Sequence, residues 1–288
     1  MIYKVTAFTE DVTGGNPAGV VVDADSLSDR QMLSIAQEVG CSETAFVMKS
    51  GRADFRVRFF TPVAEVDLCG HATVATFNLL RDLGIINVGE YRQETKAGVL
   101  QVKVGERCIY MEQNPPEFFE ILHKDEIAGC FKSRFQDYVS DLPIQVVSTG
   151  LKDLILPVKN LDTLFDLQPE LQKIEELSIK LNVTGIHAFS LETITDCEAH
   201  ARNFAPRFGI DEESATGTAN GALACYLMRY LRSEFDGNFT IEQGFSMQRP
   251  SRIKVQLEYD GDEFKEVYVG GSAVTISTKM TKRSSLWS

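Results

Sequence analysis

The sequence predicts an α+β fold of two similar domains from an internal duplication, each a curled mixed β-sheet around a central buried helix. Three observations predict it. Arg58-Phe59-Phe60-Thr61-Pro62, followed by Cys69-Gly70-His71-Ala72, recurs as Arg202-Asn203-Phe204-Ala205-Pro206, followed by Thr216-Gly217-Thr218-Ala219. The offset is 144 residues at the prolines (206 minus 62) and 147 at the glycines (217 minus 70), so each half holds one copy and the period is that of a duplicated domain. Each copy opens a helix that is apolar almost all round, the mark of a buried helix. Most other segments pattern as strands, and a sheet curled around that helix is their natural packing.

In the first half, Tyr3–Thr9 and Gly19–Asp23 pattern as strands around a Gly14-Gly15-Asn16-Pro17 turn. Ser28 and Gln31 form a capping box, Met32, Ile35, Ala36 and Val39 recur at helical spacing, and Gly40 ends the helix. Glu43 falls on the loop into a strand at Thr44–Lys49. Ala53–Phe60 alternates, with Phe55, Val57 and Phe59 on one face and Asp54, Arg56 and Arg58 on the other. The buried helix spans about Gly70 to Leu83, and Gly98–Val104 with Cys108–Gln113 make a hairpin across Gly105-Glu106. Asn114-Pro115-Pro116 punctuates the chain, so the domains are expected at 1–115, completed by a C-terminal strand within 272–288, and at 116–271.

In the second half, Pro143–Thr149 and Asp153–Val158 are expected strands around Gly150, and Pro169–Leu181 is an amphipathic helix. Ile186–Leu191 and Glu198–Phe204 are strands, and Gly217–Leu231 is the second apolar helix. Arg252–Tyr259 and Phe264–Val269 form a hairpin around Asp260-Gly261-Asp262, Ser272–Thr278 is a last strand, and the tail Lys282–Ser288 is expected to be loose.

Bulk properties narrow the function. A chain of 288 residues, 43% hydrophobic and 24% charged, is ordinary for a globular protein of about two domains. The net charge of -12 argues against nucleic acid or an anionic membrane as partner, although local dipoles can still hold a small anion. No apolar run reaches membrane-spanning length, and the N-terminus patterns as a strand, not a signal peptide. The six cysteines are scattered without a CxxC pair, as free thiols of a reducing cytoplasm are, and the four histidines form no ligand-spaced cluster with cysteine or carboxylate, so no metal is expected.

A small set of residues could carry chemistry. Glu43 is a loop carboxylate beside apolar sequence, where burial would raise its pKa toward the range of a general acid/base; the alternative is a solvated surface glutamate. His71 lies one residue into the first apolar helix, where the helix dipole disfavours imidazolium; it either relays protons or caps its own helix. Glu213 precedes the second apolar helix, a position that capping and the dipole favour without any catalysis. The backbone N–H groups of Gly70, His71, Gly217 and Thr218, with the Thr218 hydroxyl, are candidate donors to a carboxylate or oxyanion. Cys69 at a helix start could serve as a base, or be a small core residue; its counterpart is Thr216, so a racemase with two thiols lacks one of them.

These residues resemble the phenazine-biosynthesis (PhzF-like) family, which shares the diaminopimelate-epimerase fold. The matching stretches are Asp11 to Val20, Ser42-Glu43-Thr44-Ala45-Phe46, Phe60-Thr61-Pro62 with Glu65, Cys69-Gly70-His71-Ala72-Thr73, and Glu213 to Gly221, together covering nearly the whole chain in order. The resemblance implies a diaminopimelate epimerase-like pair of domains with the active site in a cleft between them, and a cofactor-independent isomerase that is usually a homodimer. It implies that Glu43 shuttles a proton between carbons of a substrate such as trans-2,3-dihydro-3-hydroxyanthranilate, that His71 assists at the substrate's polar groups, and that Glu213 is the acidic residue where the phenazine enzyme has Asp. Asn16, Gly70, Thr73, Gly217 and Thr218 would bind substrate. The expected partner is a small anionic (carboxylate) substrate. The alternatives are an amino-acid racemase or epimerase using Cys69, and a non-catalytic small-acid-binding protein.

Overall fold

The computed structural model describes residues 1–132, 140–261 and 263–279; the tail expected to be loose and Asp262 of the expected turn lie outside them. The chain divides into two compact units, Met1–Met111 with Gly270–Ser288, and Glu112–Val269. The first division falls between Met111 and Glu112, just ahead of the Asn114-Pro115-Pro116 punctuation. No helix among the described residues is long and apolar enough to cross a membrane.

In the first unit, β1 (Ile2–Ala7) pairs antiparallel with β2 (Asn16–Val21), and α1 (Asp29–Val39) crosses to β3 (Thr44–Met48), which lies parallel to β2. Next, β4 (Phe55–Phe60) pairs antiparallel with β3 and with the short β5 (Glu65–Val66). The helix α2 (Gly70–Asp82) then crosses to β6 (Gly89–Thr95), parallel to β4, and β7 (Gly98–Val104) and β8 (Ile109–Gln113) follow antiparallel.

The second unit repeats this plan strand for strand. After β9 (Glu117–Leu122) and α3 (Lys124–Ile127), β10 (Ile144–Ser148) pairs antiparallel with β11 (Lys152–Pro157). The crossover now holds α4 (Leu161–Asp166) and α5 (Leu171–Leu181) before β12 (Ile186–Ser190), parallel to β11. Then β13 (Ala199–Ala205) pairs antiparallel with β12 and β14 (Ile210–Glu213), and α6 (Gly217–Tyr230) crosses to β15 (Asn238–Gln243), parallel to β13. The strand β16 (Ser251–Asp260) follows antiparallel to β15, and β17 (Glu263–Gly271) comes next. Finally β18 (Ala273–Lys279) returns to the first unit beside β1, as β9 lies beside β10 in the second. Antiparallel, parallel, antiparallel, antiparallel, parallel, antiparallel is the order in both units, and the duplication is therefore structural as well as sequential.

Each sheet wraps its own helix. In α2 every residue from His71 to Leu80 is buried, and α2 packs on β1, β2, β3 and β18. In α6 the buried run is Ala219 to Met228, packed on β10, β11 and β16. Burying each large apolar side chain contributes about 1.5–3 kcal/mol, so these two helices are the main hydrophobic anchors. The outer faces are covered separately. Met32, Ile35 and Ala36 of α1 cluster with Phe46 and Phe60, and Ile174 and Leu177 of α5 cluster with Leu154, Leu156, Ile186 and Phe204. Ser28 and Gln31 make the expected capping box and Gly40 closes α1 at a φ of 63°.

The repeated Arg marks that outer face too. The guanidinium of Arg58 forks onto Glu65, at 2.7 Å from Nε and 2.9 Å from Nη2, and that of Arg202 forks onto Glu212 at 2.9 Å from both nitrogens. Such bidentate pairs fix the short strands β5 and β14, and so fix the chain leading into each central helix. The Arg58 guanidinium also holds the Glu65 carboxyl below the usual glutamate range, against the opposing effect of burial.

Candidate functional site

Glu43 is held by a close approach of strands. Gly19 N–H donates to the Glu43 carbonyl at 3.0 Å, and a Cβ on Gly19 would lie 2.6 Å from Thr44 Oγ1, so only glycine lets β2 run this close to the start of β3. The Glu43 side chain keeps 17% of its surface exposed, while its Oε2 is buried and accepts no hydrogen bond.

The start of α2 faces that carboxylate. Cys69 is the N-cap residue and does not turn its side chain onto the first amides, in contrast to Ser28 at α1, so the leading N–H groups stay available as donors. His71, only 6% exposed, places Nε2 at 3.3 Å from both Glu43 Oε2 and Ser42 Oγ, and Nδ1 at 3.4 Å from Cys69 Sγ. A carboxylate, an imidazole, a thiol and a hydroxyl thus meet at one helix N-terminus. Thr73 turns away from them. Its fully buried hydroxyl donates to the Cys69 carbonyl at 2.8 Å and accepts from Gln93 at 3.0 Å, which braces the first turn of α2. Asn16 is buried at the start of β2, and Gly70 has room for a Cβ, the nearest atom being Met111 Cε at 3.6 Å.

Sequence spacing gives no ligand cluster of histidine with cysteine and carboxylate, yet the fold brings one together. One ligand atom each of Glu43, Cys69 and His71 lie within 4.8 Å of one another. Only Cys69 and His71 are neighbours in sequence, and chain spacing does not show what the β3 start brings to them. Thiolate, imidazole and carboxylate are a donor set that a zinc-like cation accepts.

In the second unit, Glu213 ends β14, accepts from Thr216 Oγ1 at 2.8 Å and is half-buried. Thr216, the N-cap of α6, spends its hydroxyl on Glu213 and not on the α6 amides, so here too the leading donors are uncapped. Gly217 and Thr218 follow as the first residues of α6, and Thr149 Oγ1 donates to the Thr218 carbonyl at 3.2 Å.

A buried polar network beneath this helix start escaped the sequence reading. Gln243 donates to the Glu213 carbonyl at 2.7 Å and accepts from Asn220 at 2.7 Å and from the Thr216 amide at 3.1 Å. His187 lies between Asn220 and Asn203, at 3.2 Å from each, and burial pushes its pKa down to about 4, so it is a neutral linker. Asn220 on an otherwise apolar helix is the available signal, because a buried polar side chain implies a built partner.

Comparison with known proteins follows the same lines. The PhzC-PhzF family model, phenazine biosynthesis-like protein, matches residues 5–279. The chain is 35% identical over 289 residues to the uncharacterized isomerase YfhB of Bacillus subtilis, covering 98% of each chain. It is 34% identical over 286 residues to the uncharacterized isomerase YddE of Escherichia coli strain K12, covering 96% of each. Among solved structures, a phenazine biosynthesis protein of the PhzF family from Bacillus anthracis superposes with a TM-score of 0.89 at 34% identity over 96% of both chains. A hydroxyproline epimerase from Agrobacterium vitis, at 12% identity and a TM-score of 0.61 over 96% of this chain and 88% of its own, shares the fold. The motifs, the duplicated topology and these matches agree, and the chain belongs to the PhzC-PhzF family of phenazine biosynthesis-like proteins.

Proposed function

We propose that the protein is a cofactor-independent isomerase that moves a proton between carbons of a small carboxylate-bearing substrate, similar to trans-2,3-dihydro-3-hydroxyanthranilate isomerase. The observation that carries this reading is the Glu43 carboxylate, whose buried Oε2 is committed to no donor and faces His71 Nε2 at 3.3 Å. A carboxylate with uncommitted lone pairs, beside a group that can hold substrate oxygen or nitrogen, suits proton abstraction and return.

In this mechanism Glu43 removes a proton from one carbon and returns it to another on the same face. His71 orients and polarises the substrate's polar group, with Ser42 and Cys69 fixing its ring. The uncapped amides of Gly70 and His71 hold developing negative charge in the first unit, and those of Gly217 and Thr218 suit a carboxylate in the second, as helix N-termini do. Glu213, set by Thr216, is the acid of the second half and Asn16 a substrate contact. Thr73 supports the cap from beneath. A homodimer is part of the proposal by family resemblance, and a cytoplasmic location by the scattered cysteines.

Proton NMR in D2O with dihydro-hydroxyanthranilate and a panel of small amino, hydroxy and cyclic carboxylic acids tests it. Exchange or isomerisation that disappears in Glu43→Gln is the expected result, and exchange unchanged in that variant overturns the assignment. A second reading, a racemase or epimerase using Cys69, draws on the 3.4 Å approach of its sulfur to His71 Nδ1. Normal turnover by Cys69→Ala removes it. Detectable binding of these acids with no C–H exchange of any of them would instead mark a non-catalytic binder.

A further inference from the structure

Asp153 is a carboxyl group the mechanism above does not use. It is fully buried, and neither side-chain oxygen has a hydrogen-bond partner among the described residues. Its neighbours Leu154 and Leu156 pack outward against α5, so by strand alternation Asp153 faces the opposite side of the sheet, where α6 packs. Just ahead of the adjacent strand β12 lies Gly185, whose carbonyl accepts from the Leu154 amide at 3.0 Å and which presents no side chain to the carboxyl.

We propose that Asp153 is a positioning residue for the α6 half of the site: as an uncharged acid it lets the first amides of α6 hold an anion beside Glu213, and its ionisation in alkali expels that anion. The proposal rests on the reading that the α6 start takes a carboxylate. A second ionised carboxylate, buried behind the α6 start, would add to the repulsion that Glu213 exerts on a bound anion, whereas a neutral Asp153 leaves the helix dipole in control.

Among the described residues, no cation compensates Asp153. Glu213 on β14 is the charged group that acts on it, and it opposes ionisation. His187 on β12 lies on the same face and stays neutral. On β10 the residue opposite is Val147, and the first turns of α6, Gly217 to Gly221, hold no titratable side chain. On its own strand Lys152 points to the other face, its Nζ 3.7 Å above the Phe119 ring. Desolvation, with Glu213 second, accordingly pushes Asp153 up to about 8.

The test is acetate titration of the 15N-labelled full-length protein between pH 6 and pH 10, read at the Gly217 and Thr218 amides, for the parent and Asp153→Asn. The parent is expected to lose acetate affinity by about tenfold or more between pH 7 and pH 9, and the neutral variant to hold its affinity within about twofold. A parallel pH dependence in the two proteins overturns the proposal. The 13C carboxyl shift of Asp153 in the parent gives an independent reading should the variant fail to fold, and a carboxyl already ionised at pH 6 is equally fatal. Gly217 and Thr218 amides indifferent to acetate in both proteins at every pH remove the anion site and the proposal with it. Failure of the proposed isomerase alone looks different: acetate binds as expected, while carbon–hydrogen exchange ignores Glu43→Gln.

Discussion

Glu43 and Gly185 hold the same register position in the two repeats. The Glu43 carbonyl accepts from Gly19 N–H and the Gly185 carbonyl from Leu154 N–H, each at 3.0 Å, and each residue immediately precedes a strand parallel to the donor's. One copy carries a carboxylate and the other cannot carry any side chain, because a Cβ on Gly185 would lie 2.0 Å from the Phe204 carbonyl oxygen. Gly185→Ala should therefore destabilise the protein by about 2–3 kcal/mol or more, since backbone must move to admit one methyl group. Urea unfolding monitored by circular dichroism checks this, and a variant as stable as the parent would refute the steric account.

Glu43→Gln keeps the shape of the side chain and removes its proton chemistry. Loss of carbon-acid exchange by about 10²–10⁴-fold is expected, with a melting temperature close to that of the parent. Cys69→Ala is the companion measurement, and retained exchange there separates the thiol from the carboxylate.

Asp153 links function to stability. Its carboxyl rises from the ordinary 3.8 to about 8 in the folded state, so unfolding releases a proton throughout the interval between. Stability should fall with rising pH across that window, by roughly 1.4 kcal/mol per pH unit for this group. Asp153→Asn should gain on the parent as pH rises, in unfolding curves taken at pH 5, pH 7 and pH 9.

Glu242 works in the opposite sense. It is fully buried with His200, whose Nδ1 is 2.9 Å from Oε2, and the Ile194 and Thr195 amides and the Thr195 hydroxyl also donate to it. Burial alone would raise its pKa, yet these hydrogen bonds prevail and bring it down to about 2. A depressed pKa means stabilisation that is present above the unfolded value of about 4.5 and is lost as pH falls through about 2. Glu242→Gln should cost about 2–4 kcal/mol at pH 7, and the gap from the parent should close toward pH 2 in denaturation curves.

The Glu43, Cys69 and His71 trio predicts a response to metal ions. Zinc added to the protein should suppress carbon–hydrogen exchange by occupying these groups, and a chelator should restore it. Equal inhibition of Cys69→Ala and the parent would show that the trio is not where the ion acts.

How much of this was legible follows from which interactions are local. The α1 cap, Gly40, both apolar helices and the β7–β8 turn rest on neighbours a few residues apart, and the motif offset exposes the duplication. The strands β6 and β15 carry few apolar residues and so give a weak pattern, although each pairs with the strand that follows it, while β9 finds its partner β10 only across a long stretch of sequence. Glu43 and His71 were recognisable from motif and position, but the approach of Cys69 and Ser42 to one imidazole needs strand register. In the sequence, Asp153 is simply the first residue of an expected strand. Its isolation arises from Glu213, Gly185 and α6 together, which no local pattern records.

One strand sets an order of assembly. Because β18 lies beside β1, a strand made before the whole second unit is finished by one made after it. During synthesis the Glu112–Val269 unit has all its strands once residue 269 leaves the ribosome, while β1 waits with an open edge for residues 273–279. An exposed edge of that kind recruits stray strands, so a chain stalled or cut just short of β18 is the form of this protein most exposed to aggregation and to chaperone capture.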